Sequence, residues 1–130
     1  MLVVDAGVLA DVLAGGTSRA HTARARLRGR HLWAPSLIDI ETVSVLRGLV
    51  LAGKLEEKVA REAIDDLAAM PMKRVHHEAL LHRCWGLRAD VTAYDASYVA
   101  LAEILDTTLI TTDARMVTAP GPTCRIELIG

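Results

Sequence analysis

The chain is poor in rings. Its 130 residues hold no phenylalanine, two tryptophans and two tyrosines, so aromatics make up only 3%. The core must therefore be aliphatic, and a row of rings for stacking single-stranded bases is not expected. Asparagine and glutamine are missing altogether, which removes the side-chain amides that read base edges. The two cysteines, Cys84 and Cys124, are too few for a disulfide framework and lack zinc-site spacing. They read as small apolar residues in a reducing compartment. No apolar run is long enough to span a bilayer. The longest, residues 40–52, is interrupted by Glu41 and Arg47. The opening Met1-Leu-Val-Val-Asp5 has no basic leader of the secretory kind, so a cytoplasmic protein is expected. Neither charge sign dominates: 15 Lys+Arg against 16 Asp+Glu leave a net charge of −1. Bulk charge would not hold such a chain on nucleic acid or anionic lipid.

What is present is a globular composition, 52% hydrophobic and 24% charged, on a length that suits one domain over residues 1–130. Short apolar runs alternate with helical patterns. Strands are expected at residues 2–4, 32–34, 72–75, 107–111 and 125–129. Helices are expected around residues 8–13, then at 17–28, 36–52, 56–69, 77–88, 93–105 and 113–118. Ser36 reads as an N-cap with Asp39 three residues on, and Thr92 as a cap paired with Asp95. Alternation of this kind predicts an α/β protein, a three-layer α/β/α sandwich around a parallel sheet of four or five strands.

Four acids fall in unusual places. Asp5 directly follows the first strand, and Asp113 directly follows the Leu109-Ile110 strand. The carboxyl ends of strands line the crevice where open parallel sheets bind ligands. Either residue could equally serve only as a helix N-cap. Asp95 is the lone charge in an otherwise apolar helix opening, and Glu41 lies one turn into the residue 36 helix on a stripe with Leu37 and Ser44. Carboxylates gathered in one crevice repel one another and raise some of their pKa values. A divalent cation offsets that repulsion, and hard oxygen donors suit Mg²⁺ or Mn²⁺.

These segments carry a family resemblance. Leu2-Val-Val-Asp5, Ala34-Pro35-Ser36-Leu37 through Glu41 to Leu46-Arg47, Thr92-Ala-Tyr-Asp95-Ala-Ser-Tyr-Val-Ala-Leu-Ala-Glu103 and Leu109-Ile-Thr-Thr-Asp113 together resemble PIN-domain ribonucleases. The nearest type is the VapC toxin of bacterial type II toxin–antitoxin pairs. The resemblance implies that Asp5, Glu41, Asp95 and Asp113 hold one or two Mg²⁺ or Mn²⁺ ions, with Thr112 as a supporting hydroxyl. It implies endonucleolytic cleavage of RNA, tRNA included, by metal-activated water. It also implies a VapB-type antitoxin partner and a homodimer. The chain departs from many such relatives at Gly7, where they place Ser or Thr.

Residues 12–38 contain no acid but hold Arg19, Arg24, Arg26, Arg28 and Arg30. Arginine forks suit phosphate, so Arg19, Arg24, Arg26 and Arg28 are candidate contacts to the RNA backbone. A solvated helix face is the plain alternative. His76, His77 and His82 do not keep the i, i+4 spacing of a helical metal pair, and Trp33 and Trp85 read as core or partner-groove residues. A haloacid-dehalogenase-like phosphatase would need an acid where Gly7 stands. A receiver domain would need a late lysine, and the last is Lys73. The remaining rival is a catalytically inactive PIN-like protein that binds RNA or a partner.

Overall fold

A computed structural model describes residues 1–130. Its five strands are β1 (Leu2–Val4), β2 (Leu32–Pro35), β3 (Lys73–Val75), β4 (Leu109–Thr111) and β5 (Ile126–Leu128). All pair in parallel, in the order β3-β2-β1-β4-β5. Register sets Val3 beside Leu109, Val4 beside Ile110, and Trp33 beside Lys73. Every residue of β1 and β4 is buried. Strands covered on both faces need continuous apolar runs rather than alternation, which is why Leu-Val-Val and Leu-Ile-Thr form the centre.

Seven helices connect and cover the sheet: α1 (Ala6–Ala14), α2 (Ser18–Leu27), α3 (Ile38–Leu51), α4 (Glu57–Ala69), α5 (Leu81–Gly86), α6 (Ala93–Ile104) and α7 (Ala114–Thr118). The core is aliphatic, with Leu9, Ile38, Leu80, Leu87, Leu101, Leu109 and Ile110 buried around the lone buried ring of Tyr98. Each such aliphatic side chain contributes roughly 1.5–3 kcal/mol. Helix α6 is the most enclosed, buried from Ala96 to Ala102. Its small residues let it lie close against the sheet. Helix α3 ends where Gly53 takes a positive φ of 71°, a backbone state that glycine adopts without strain.

Two expectations change. Ser36 does not cap α3: the N-cap position is Leu37, with no side-chain cap bond. The Ser36 backbone N–H instead donates to the Val75 carbonyl, 2.9 Å, and its hydroxyl reaches the same oxygen. The sheet edge has claimed both groups. Asp39 is taken by Arg74. The helix expected over residues 77–88 is a 3-10 turn at Glu78–Leu80 followed by the short α5.

From β1 the chain steps outward to β2 and β3, then returns to place β4 and β5 on the other side. The sheet's order therefore reverses between β1 and β4. At such a point the connections leaving the carboxyl ends of two paired strands diverge and leave a crevice.

Candidate active site

Asp5 sits at that crevice. Its backbone N–H donates to the Ile110 carbonyl, extending the β1–β4 ladder by one residue. Its side chain caps α1, Oδ1 accepting from the Val8 N–H at 3.0 Å. Oδ2 accepts from the Thr111 hydroxyl at 2.5 Å. The same Thr111 oxygen accepts from the Asp113 N–H at 3.0 Å. One buried hydroxyl thus ties the ends of both strands together. Asp113 caps α7, accepting from the Arg115 N–H.

Helices bring the other two acids. Asp95 lies in the first turn of α6, whose N-cap Thr92 accepts from the Asp95 N–H at 3.2 Å. Glu41 lies in the first turn of α3 and accepts from the Tyr98 hydroxyl at 2.6 Å. Tyr98 stands one turn beyond Asp95 on α6, so one helix supplies an acid and the donor that holds another.

The four acids share a field. Burial pushes the Asp5 carboxyl above its ordinary value, with Asp95 and Asp113 adding to the rise and the Thr111 and Val8 donors opposing it. Burial likewise raises Asp95, helped by Asp113. Asp113 goes the other way, lowered by the Arg115 guanidinium. Burial keeps Tyr98 protonated, and Glu41, Asp5 and Asp95 push in the same direction. These are opposed shifts among neighbouring acids, the electrostatic mark of a functional cleft.

The donor set is all oxygen, which fits a hard divalent cation. Yet no three His, Cys, Asp or Glu side chains stand close enough together to hold one. Three of the acids are instead held by partners within the protein. Thr111 holds Asp5, Tyr98 holds Glu41, and Arg115 forks onto both oxygens of Asp113 at 3.1 and 2.9 Å. A cleft of about 360 Å³ opens beside them, lined by Arg88, Thr92, Asp95, Asp113 and Arg115 among others.

Thr112 and Gly7 explain each other. A Cβ at residue 7 would collide with the Thr112 hydroxyl and lie 3.6 Å from Asp5 Oδ1. The Thr112 hydroxyl therefore fills the space that a residue 7 side chain would occupy beside Asp5.

The candidate arginines are mostly engaged within the protein. Arg19 forks onto Asp11, and Arg26 onto Glu127. Arg24 donates to the carbonyls of Asp11, Val12 and Gly15 at the end of α1. Arg28 is exposed. His77 accepts from the Leu37 N–H at 3.0 Å, a structural use. Trp33 is partly buried with Lys73 over its ring. Trp85 is 68% exposed and carries Arg88 over its ring at 4.6 Å.

Sequence reading passed over Thr111, Tyr98, Arg88 and Arg115. Period-two alternation puts Thr111 and Asp113 on one side of the extended chain, and helical spacing puts Tyr98 on the face of Asp95. Both signals were available. Nothing in the sequence marked Arg88 or Arg115.

Comparison with known proteins bears on the family and the fold. The PIN domain family profile matches residues 2–121. Ribonuclease VapC1 of Mycobacterium tuberculosis is 42% identical over 128 residues, covering 98% of this chain and 96% of that protein. Ribonuclease VapC9 of the same species is 37% identical over 130 residues, covering 99% and 98%. Among solved structures, FitAcB from Neisseria gonorrhoeae superposes with a TM-score of 0.68 at 15% identity, covering 97% and 96%. VapBC2 from Rickettsia felis, bound to a promoter DNA fragment, gives 0.67 at 9% identity, covering 98% and 97%. At such identities these structures speak for the fold. No helix is long and apolar enough to cross a membrane.

Proposed function

Since the chain belongs to the PIN domain family, we propose that it is an RNA-cleaving hydrolase, the ribonuclease toxin of a VapBC-type toxin–antitoxin pair. The observation that carries this is the electrostatic coupling of Asp5, Asp95 and Asp113 beside the sheet's reversal point, with Glu41 tied to the same helix through Tyr98. Full-length identity to proteins named ribonucleases supports it.

Asp5, Asp95 and Asp113 are the residues that would hold Mg²⁺ or Mn²⁺, with Glu41 beside them. Bound there, the cation would offset negative charge on the scissile phosphate and acidify an attacking water. The chain's own groups do the positioning. Thr111 fixes the Asp5 carboxylate, and Tyr98 fixes Glu41 where it can orient a water or take its proton. Thr112 packs the floor beside Asp5. Attack by water in line with the 3′ oxygen breaks the P–O3′ bond and leaves 5′-phosphate and 3′-hydroxyl ends. Without side-chain amides, recognition rests on RNA shape and backbone, so a structured RNA such as tRNA is the substrate class to test first.

The partner is a VapB-type antitoxin. An apolar groove between α3 and α4, with Ile40 and Val43 facing Ile64, stands open. We place the protein in the cytoplasm, as a homodimer of one nuclease domain over residues 1–130.

The test is incubation with total RNA, with Mg²⁺ or Mn²⁺ and with EDTA. Metal-dependent cleavage that Asp5→Ala and Asp95→Ala abolish is the expected result. The inactive RNA- or partner-binding reading draws on the Arg115–Asp113 pairing, and it requires no cleavage under any of these conditions. Ends bearing 2′,3′-cyclic phosphate would refute attack by water.

A further inference from the structure

The acids of the cleft include one that is already paired with a cation, and the cation belongs to the chain. Arg115 reaches Asp113 through three donors: its backbone N–H at 2.9 Å, Nε at 3.1 Å and Nη2 at 2.9 Å. Both carboxylate oxygens are occupied in a fork. Nothing else anchors the guanidinium, which is 91% exposed while Asp113 is 30% exposed. A charged side chain held at one point, at the mouth of a cleft, is free to leave for a better partner. Asp95 also feels the Arg115 charge. On the other wall, Arg88 is anchored. Its Nη1 donates to the Trp85 carbonyl at 3.0 Å and its guanidinium lies over the Trp85 ring. The cleft thus has one fixed and one releasable guanidinium.

We propose that Arg115 is an internal counter-ion that holds Asp113 until a divalent cation takes that carboxylate, and that the freed guanidinium then grips an RNA phosphate opposite Arg88. This rests on the nuclease reading above and deepens it. It accounts for an acid cluster that is chemically suited to a cation yet not closed around one. A divalent ion and a fork of two N–H donors compete for the same two oxygens. An arginine displaced from a carboxylate meets in phosphate an anion of matching bidentate geometry.

Two measurements test the proposal. The first is calorimetric titration with MnCl₂ alone, with no RNA present. Arg115→Ala should bind Mn²⁺ about 5–10-fold more tightly than wild type, because Asp113 is already free. Arg115→Lys keeps the charge but not the fork, and should fall between the two. Arg88→Ala should match wild type. The second is fluorescence anisotropy of a labelled 20-nucleotide RNA. In Ca²⁺ both Arg115→Ala and Arg88→Ala should weaken binding about 3–10-fold. In EDTA only Arg88→Ala should do so, since Arg115 then stays on Asp113. Unchanged or weaker Mn²⁺ binding by Arg115→Ala overturns the proposal. So does an Arg115→Lys protein identical to wild type, since the effect would then follow charge rather than pairing. A wild-type protein that takes up no Mn²⁺ overturns the nuclease reading and this proposal with it.

Discussion

Replacing Asp5 by asparagine should make the protein more stable and catalytically inert. The substitution keeps the shape and the cap. Asparagine caps a helix as well as aspartate does, so the bond from the Val8 N–H survives. Thr111 can turn its hydroxyl to face an amide instead of a carboxylate. What disappears is the charge. An enclosed carboxylate suffers an effective desolvation penalty of several kcal/mol, and its two donors return roughly 1.5–3 kcal/mol each at most. Asp95 and Asp113 add repulsion. The raised carboxyl shows that penalty and repulsion outweigh the donors, so Asp5→Asn should stabilise, by an amount on the order of an ordinary single-site effect, about 1–2 kcal/mol. For a chain of this length that corresponds to a melting point higher by roughly 3–10 °C. The sign can be checked with pH. A carboxyl raised above its ordinary 3.8 binds protons more readily folded than unfolded. Its ionisation therefore opposes folding at neutral pH, and the penalty fades as pH falls through the raised value. The gap between variant and wild type should be full at pH 7.5 in EDTA and close below about pH 4. Saturating Mn²⁺ should narrow it too, because ligand binding stabilises the wild type by mass action. Calorimetric melts in EDTA across that pH range decide the matter. A variant that melts no higher than wild type at pH 7.5, or a gap indifferent to pH, would refute the reasoning.

Tyr98→Phe removes the donor to Glu41. It should lower stability by about 1–2 kcal/mol in urea titrations and slow RNA cleavage at least tenfold, with little change in RNA affinity. Glu103 accepts from Arg83 and from both the N–H and hydroxyl of Thr123, which pulls its carboxyl down from 4.5 to about 2. Its contribution is full above pH 4.5 and is lost as pH falls from there toward 2. With Arg83 37% exposed to screening solvent, Glu103→Ala should cost about 2 kcal/mol at neutral pH, a loss that vanishes in acid melts. Gly7→Ala drives a Cβ into the Thr112 hydroxyl and should destabilise by about 1–3 kcal/mol. Adding Thr112→Ala should recover most of that loss in a double-mutant cycle.

Most strand and helix placement was legible because those elements had one strong local cause, which the stretch over residues 77–88 lacked. Leu-Val-Val and Leu-Ile-Thr are too short and too apolar to be anything but buried strands, and α4 shows its apolar face as Ala60, Ala63 and Leu67. The four acids were legible by position, at strand ends and helix first turns. The start of α3 misled because a Ser with Asp three residues on is a capping signal. Here β3, distant in sequence, took the Ser36 groups and Arg74 took Asp39. The partners of the α2 arginines were not legible either: Asp11 and Glu127 are 8 and 101 residues from the guanidiniums they hold. Periodicity has no means of foreseeing such pairings. Thr111 was missed for a smaller reason, since Thr112 adjoins Asp113 in sequence while Thr111 adjoins it in space.

For Asp5 and Asp113 the structure shows the capping reading, and that reading is compatible with the chemical one. Each caps the helix that leaves its strand. A helix N-terminus carries a partial positive charge and unpaired N–H groups, which is the kind of surrounding a carboxylate needs when no cation is near. Capping is therefore what lets two acids stand at one crevice with no cation beside them. Thr111, Tyr98 and Arg115 extend the same provision to the rest of the cluster. A net charge of −1 hides this arrangement, because the acids that matter are offset locally, by dipoles, hydroxyls and one movable guanidinium.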